Sequence, residues 1–258
     1  MQFGIIGGTG FYRLADEGGG GGRIEVETAY GAVLVDRVRF GKEEIAFIAR
    51  HGTGHDIPPH RVNYRGNIAA LKSLGVTNIL ASAAVGSLVK TMPPGALSVL
   101  TQFIDFTHGR PSTFFDGQGG GVVHVDMTEP YCPHLRKELR EAAEALGEEI
   151  HSEATYVCAE GPRFETPAEI RMFRQMGSDL VGMTSVPEAA LAREAGICYA
   201  SVAVVTNWAA GVSAEPVEHG QVSDFMGRQT PRVRALFEAT IGAHREIACS
   251  CRTWTTGA

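Results

Sequence analysis

The chain has 258 residues, 44% of them hydrophobic, with 23 lysines and arginines against 29 aspartates and glutamates and a formal net charge of −6. That size and composition suit one α/β core, with residues 1–258 as a single domain, and an acidic balance without a basic run excludes a nucleic-acid backbone as partner. No apolar stretch approaches the roughly 20 residues of a membrane span and no basic leader precedes Phe3, so a cytoplasmic protein with no membrane partner is expected.

Short β-rich runs alternate with helical patterns from end to end, the pattern of strands joined by crossover helices. Phe3 to Ile6 reads as a buried first strand. Gly18 to Gly22 reads as a flexible surface excursion. Strands follow at Ile24 to Thr28, Ala32 to Phe40 and Glu44 to Ala49, with turns at Gly31 and Gly41. Val62, Ile68, Leu71 and Leu74 share a helical stripe and predict a helix from about Pro59 to Leu74, before a strand from Asn78 to Ala84. Leu135, Leu139, Ala142 and Leu146 predict a helix from about His134 to Leu146. The remaining elements are a strand at Ala154 to Ala159, a helix near Pro167 to Met176, a strand at Asp179 to Gly182, a helix near Pro187 to Ala195, a strand at Tyr199 to Val205 and a helix from about Pro231 to Cys249. Pro167, Pro187 and Pro231 each suit a first helical turn, where no N–H is needed.

The five cysteines, Cys132, Cys158, Cys198, Cys249 and Cys251, are scattered, and no metal site is expected from them. Cys249-Ser250-Cys251 offers two ligands or a strained local disulfide, and His244 has no second histidine at ligand spacing.

Polar fragments sit where apolar strands run out, and in an open α/β sheet that is where ligands bind. Gly7-Gly8-Thr9-Gly10 is either an anion cradle of backbone N–H groups beside the Thr9 hydroxyl or a tight turn with no ligand. It is not a dinucleotide fingerprint, because Arg13 stands where a third glycine belongs. Arg50 and His51 bring a fixed cation and an imidazole to a strand end, which suits an oxyanion. His55 is either a surface group or a substrate contact. The small side chains of Ala83 to Ser87 admit a bulky ligand or a close helix.

Phe164 offers a flat face to a base. Glu165 can accept from a ring N–H or serve the start of the following helix. Met183 can pack on a sugar and Thr184 can donate to phosphate, while Glu188 either reaches the same region or sits in a first helical turn. Asn207 ends the apolar run Val202 to Val205, and its amide must find partners.

These motifs, in this order from Gly4 to about His244, resemble the trimeric nucleoside phosphorylases, the purine nucleoside and methylthioadenosine or methylthioinosine phosphorylase family. The resemblance implies a central mixed, twisted β-sheet flanked by helices, a homotrimer, and reversible phosphorolysis of a purine nucleoside with inorganic phosphate as co-substrate and no cofactor or metal. It implies that Thr9, Arg50, His51, the Ala84 backbone and Thr184 hold phosphate. Met183 would contact ribose, Phe164 would pack on the base, Glu165 would accept from N1–H, and Asn207 would donate toward N7 or O6 of the leaving purine. Asn207, Glu165 and His51 are thus the candidate catalytic groups.

Members that cleave methylthioadenosine usually have Ser where Glu165 stands and an Asp-x-Asp pair where Asn207-Trp208-Ala209 stands, so the resemblance favours 6-oxopurines. Ala83 replaces a usual Thr or Asn, which implies one polar contact fewer. His219 lies in a stretch that resembles the one where purine nucleoside phosphorylases hold the 5′-hydroxyl, although a surface histidine at a helix start would read the same. The expected activity is a 6-oxopurine nucleoside phosphorylase acting on inosine and guanosine. The alternatives are methylthioinosine phosphorylase, then methylthioadenosine phosphorylase, and a nucleotide-binding protein without turnover. A nucleoside hydrolase would need an aspartate-rich calcium site, which the N-terminus lacks.

Overall fold

A computed structural model describes residues 1–8, 10–11, 21–117 and 121–253, in which eleven strands build one mixed sheet. The first strand, β1 (Phe3–Gly7), is buried at every position. It lies between two parallel partners, β4 (Glu43–Ala49) and β5 (Asn78–Ser87). Continuous burial is what a central parallel strand requires, since both faces are covered. β2 (Gly22–Val26) and β3 (Val33–Phe40) join β4 as an antiparallel meander at one edge.

Strand β5 is the hub. One side pairs first with β1 and then with β10 (Leu180–Gly182), while the other pairs along its whole length with β11 (Cys198–Trp208). Beyond β10 the sheet continues through β9 (Thr155–Ala159) and β7 (Gln102–Phe106), and beyond β11 through β6 (Leu97–Val99) and β8 (Ile150–His151). The strand partners diverge about β5, so a crevice opens at its carboxyl end, the kind of switch point where such sheets bind ligands.

Helices cover both faces. On one, α1 (Tyr64–Ser73) and α4 (Ser185–Glu194) pack Ile68, Leu71, Val186 and Leu191 into a core with Ile6 and Ile79. On the other, α2 (Pro133–Leu146) and α5 (His219–Ala243) bury Leu135, Leu139, Leu236 and Phe237 against Ile5 and Val202. The short α3 (Pro167–Gln175) seals a third, smaller cluster with Ile170 and Phe173. No helix among the described residues is long and apolar enough to cross a membrane.

Several predicted elements change. The stretch expected as one helix from Pro59 splits into a 3-10 turn at Pro59–Arg61 and α1, whose start is fixed by Asn63 accepting from the Gly66 N–H. Pro187 falls in the first turn of α4 as expected, although the helix begins two residues earlier, at Ser185. Pro231 lies deep within α5, which begins at His219 and ends at Ala243, short of Cys249. A mid-helix proline forfeits one backbone bond, to the Gly227 carbonyl, and the buried Val233, Leu236 and Phe237 hold the helix together across it. The cysteines are not scattered in space, because Cys132, Cys198, Cys249 and Cys251 converge while Cys158 sits apart in the core. Of the glycine run, residues 18–20 lie outside the described residues and Gly22 opens β2.

Candidate functional site

The crevice holds a cavity of about 470 Å3, within the size range of small-molecule sites. The carboxyl ends of β1, β4, β5, β10 and β11 form its floor, and its walls come from the segments 55–59, 162–165 and 217–222.

At one end stands Arg50, just past β4 and 3% exposed. Its Nε and Nη2 (2.9 Å) both donate to Glu188 of α4, and Nη1 donates to the Ser82 carbonyl at 3.1 Å. Tyr199 Oη donates to the same Glu188 carboxylate at 2.8 Å. Burial alone would lower the Arg50 pKa, but the Glu188 carboxylate raises it well above its ordinary value and keeps the guanidinium charged. Among the described residues three of its five N–H donors are engaged, and two are left over. Gly8 makes this possible, because a Cβ there would lie 2.7 Å from Arg50 Nη1.

His51, 8% exposed, is pushed down to about 4 by burial and then by the Arg50 charge, so it is neutral at pH 7. Its Nδ1 lies 2.8 Å from the Ile57 carbonyl, which can only accept. Nδ1 therefore carries the proton and Nε2 is an acceptor. Thr184 precedes α4 without capping it by its side chain, which leaves the hydroxyl to the cavity it lines. Tyr156 Oη instead takes the Thr184 N–H at 3.0 Å. Ala84 lines the floor, whereas Ala83 points into the apolar core, so the polar contact inferred as missing there has no place in this cavity. Thr9 lies outside the described residues.

At the opposite end Phe164 and Glu165 enter from the loop before α3. The capping of α3 belongs to Thr166 and Glu169, with Arg163 paired to Glu169 at 2.7 Å, so Glu165 is free of that duty. Glu165 Oε1 is buried without a hydrogen-bond partner among the described residues, and desolvation raises its carboxyl above the ordinary value.

Facing it, β11 carries a bulge: Val205 pairs with Val85 but Asn207 with Gly86. The extra residue lets both Thr206 and Asn207 line the cavity, which plain alternation would forbid. The Thr206 hydroxyl donates to Asn207 Oδ1 at 2.8 Å, and Asn207 Nδ2 donates to the Trp208 carbonyl at 2.8 Å. Those partners fix the amide so that its NH2 group has one further N–H to offer. Gly86 and Ala209 keep the floor thin; a Cβ at Gly86 would meet Asn207 Nδ2 and Ala209 Cα, each at 3.3 Å.

Between the two ends lies Met183, whose carbonyl accepts from Arg110 Nη1 at 2.6 Å. Arg110 also donates to Tyr64 Oη, to the carbonyls of Ala159 and Glu160 and to the Glu160 carboxylate, using all five of its N–H groups. His219 opens α5 and stacks on His55 at 5.4 Å between ring centroids, and His55 meets His51 at 5.1 Å. Val217 and Val222 stand in the same wall.

Apart from Thr9, every predicted site residue lines this one cavity: Arg50, His51, Ala84, Phe164, Glu165, Met183, Thr184, Asn207, Ala209 and His219. Glu188 reaches the site through Arg50. Thr206, Tyr156, Tyr199 and Arg110 carried no signal of their own in the sequence, except that Thr206 adjoins Asn207. The described groupings of three or more metal-ligating side chains lie outside the cavity.

Comparison with known proteins bears on this arrangement. The family model for the phosphorylase superfamily matches residues 2–242. A 6-oxopurine nucleoside phosphorylase from Pyrococcus furiosus is 49% identical over 261 residues, covering 98% of this chain and 97% of its own. A "Probable S-methyl-5'-thioinosine phosphorylase" from Methanopyrus kandleri is 48% identical, covering 93% and 91%. The solved structure of methylthioadenosine phosphorylase from Schistosoma mansoni in complex with adenine matches with a TM-score of 0.89 at 38% identity, over 95% of this chain and 93% of that one.

Proposed function

Since the chain belongs to the phosphorylase superfamily, we propose that it is a 6-oxopurine nucleoside phosphorylase, converting inosine or guanosine and inorganic phosphate reversibly into free purine and ribose 1-phosphate. One observation carries the choice of base: a fixed Asn207 donor lines the same cavity as a Glu165 carboxyl oxygen that has no partner among the described residues. A 6-oxopurine presents N7 and O6 as acceptors and N1–H as a donor, and matches both. Adenine has no N1–H at neutral pH.

In the reaction a phosphate oxygen forms its bond to C1′ as the C1′–N9 bond breaks, and the bonding pair leaves with the purine. Arg50 holds the phosphate through its two remaining N–H groups, and Thr184 and the Ala84 backbone complete the cradle, with Thr9. Neutral His51 accepts from the P–OH of monohydrogen phosphate, which orients a deprotonated oxygen toward C1′. Charge builds on the departing purine, so the Asn207 N–H strengthens its hold in the transition state. Met183 packs on the ribose and Phe164 on the base. No metal or cofactor is assigned to these steps; phosphate is the co-substrate. Such an enzyme would serve purine salvage in the cytoplasm.

Methylthioinosine is the second reading, because Val217 and Val222 could hold a methylthio group beside His219. Release of hypoxanthine, guanine and adenine from 5′-hydroxyl and 5′-methylthio nucleosides, with and without phosphate, tests all of this. The proposal expects phosphate-dependent release of 6-oxopurines. Equal release without phosphate would establish hydrolysis, no release would establish a binding protein, and preference for methylthioadenosine would overturn the assignment of the base.

We also propose a homotrimer in which a neighbour's segment near Phe114 completes the sugar side of the cavity. His134, which we propose takes part in the same contact from the neighbour, bonds in its own chain to Glu138 at 3.1 Å and lies 3.0 Å from the Arg245 carbonyl. A fully active monomer in light scattering at assay concentration would rule the trimer out.

A further inference from the structure

The cysteines have no part in the proposed reaction, yet four of them meet. The Sγ atoms of Cys132, Cys198, Cys249 and Cys251 lie within 4.8 Å of one another, and those of Cys132 and Cys249 are 3.6 Å apart. Cys132, Cys198 and Cys251 are buried and Cys249 is half-buried. From this convergence we infer a structural tetrathiolate site for one zinc ion, which fastens the segment after α5 to the start of α2 and the start of β11.

Four sulfurs around zinc at a Zn–S distance of about 2.3 Å form a tetrahedron with edges of about 3.8 Å, close to the spacing found. The ligands come from three separate places. Cys132 immediately precedes α2, and its N–H donates to the Tyr199 carbonyl at 2.8 Å. Cys198 opens β11, and its N–H donates to the Thr77 carbonyl at 3.0 Å. Cys249 and Cys251 flank the entry to the 3-10 turn Ser250–Arg252, where the Arg252 N–H donates to the Cys249 carbonyl at 3.0 Å. Each ligand is thus held by the backbone before any ion arrives.

The surroundings suit thiolates. Four thiolates on Zn2+ leave two negative charges, and Arg252, which directly follows Cys251 in the 3-10 turn, places a positive charge next to them in the chain. Each thiol that coordinates gives its proton to the buffer. The cluster is remote from the candidate active site: Cys198 and Asn207 are nine residues apart along β11, roughly 30 Å at strand rise.

The experiment uses the chain without a histidine tag, purified in a reducing buffer free of chelator, with zinc added and then dialysed away. Elemental analysis should find roughly one zinc per chain, and cobalt substitution should give thiolate-to-metal charge-transfer and tetrahedral d–d bands. Cys251→Ser and Cys249→Ser should each lose the tightly held metal and lower Tm while phosphorolysis survives at moderate temperature. Should these variants fail to fold, the metal content and cobalt spectrum of the unaltered chain decide. Less than about 0.1 zinc per chain would overturn the inference, whether mass analysis then shows disulfides or five free thiols. Iron retained in preference to zinc would overturn the choice of ion.

Discussion

Glu188→Gln is the sharpest probe of the proposed phosphate site. Glu188 is fully buried, and its carboxylate takes two N–H groups of Arg50 and the Tyr199 hydroxyl. Removing one partner of a buried ion pair costs about 3–5 kcal/mol, because the surviving charge is left in a low dielectric. Glutamine keeps the shape and one acceptor, which puts the loss near about 3 kcal/mol, or roughly 6–12 °C in Tm for a chain of this size. Phosphate can replace the missing negative charge, so it should bind the variant more tightly than it binds the unaltered chain. A tenfold gain in affinity returns about 1.4 kcal/mol at saturating phosphate. Thermal melts at one protein concentration across a phosphate series should therefore show a gap that narrows as phosphate rises. Tyr199→Phe, which removes one donor to the carboxylate and leaves the ion pair, should fall between the two. A Glu188→Gln chain with unchanged Tm and unchanged KM for phosphate would refute the reasoning.

The other predictions concern the base and the sugar. Burial raises the Glu165 pKa, so its accepting form is present above that raised value and is lost as pH falls through it; kcat/KM for inosine should decline at a higher pH than an ordinary carboxylate near about 4.3 would give. Glu165→Gln should flatten that acid limb, and an identical pH profile in the variant would assign the limb elsewhere. Thr206→Val removes the hydroxyl that orients the Asn207 amide and should lower kcat/KM for inosine by roughly 2- to 10-fold, with weaker discrimination against adenosine. Parallel steady-state assays on the two nucleosides check this, and an unchanged ratio would show that Asn207 needs no such support. His219→Val should weaken inosine and favour methylthioinosine, since a lost hydrogen-bond partner costs about 1–3 kcal/mol, roughly 5- to 150-fold. If the ratio of their kcat/KM values stays fixed, His219 is a bystander.

Much of the cavity was legible in the sequence because a buried parallel strand is an apolar run, and whatever polar residue ends the run stands at the sheet's carboxyl edge. Arg50 after β4, Thr184 after β10 and Asn207 at the end of β11 all announce themselves in this way. The sequence is silent about partners. Arg50 and Glu188 are 138 positions apart, and nothing local in either stretch shows that they pair. Cys132 and Cys198 likewise meet the C-terminal pair only because α2 and β11 begin at the same end of the sheet. Pro231 misled because proline is a strong local signal for a helix start, whereas the packing of α5 against β11 and α2 decides where that helix runs. β6 and β8 were missed because they span only three and two residues, and β7 because its five residues are partly or fully exposed and make no apolar run; pairing with distant strands defines all three.

Arg110 has a consequence for how tightly a ligand can be held. It ties residues 159–160 and Met183 together with four of its five donors, the fifth going to Tyr64, so the wall that carries Phe164 and Glu165 and the Met183 backbone form one stiff body before substrate arrives. A wall already ordered forfeits little conformational entropy on binding, and side chains that must be immobilised by the ligand cost about 0.5–1.5 kcal/mol each. Contacts made to this wall therefore count more fully toward holding the purine, because little is spent on ordering the protein.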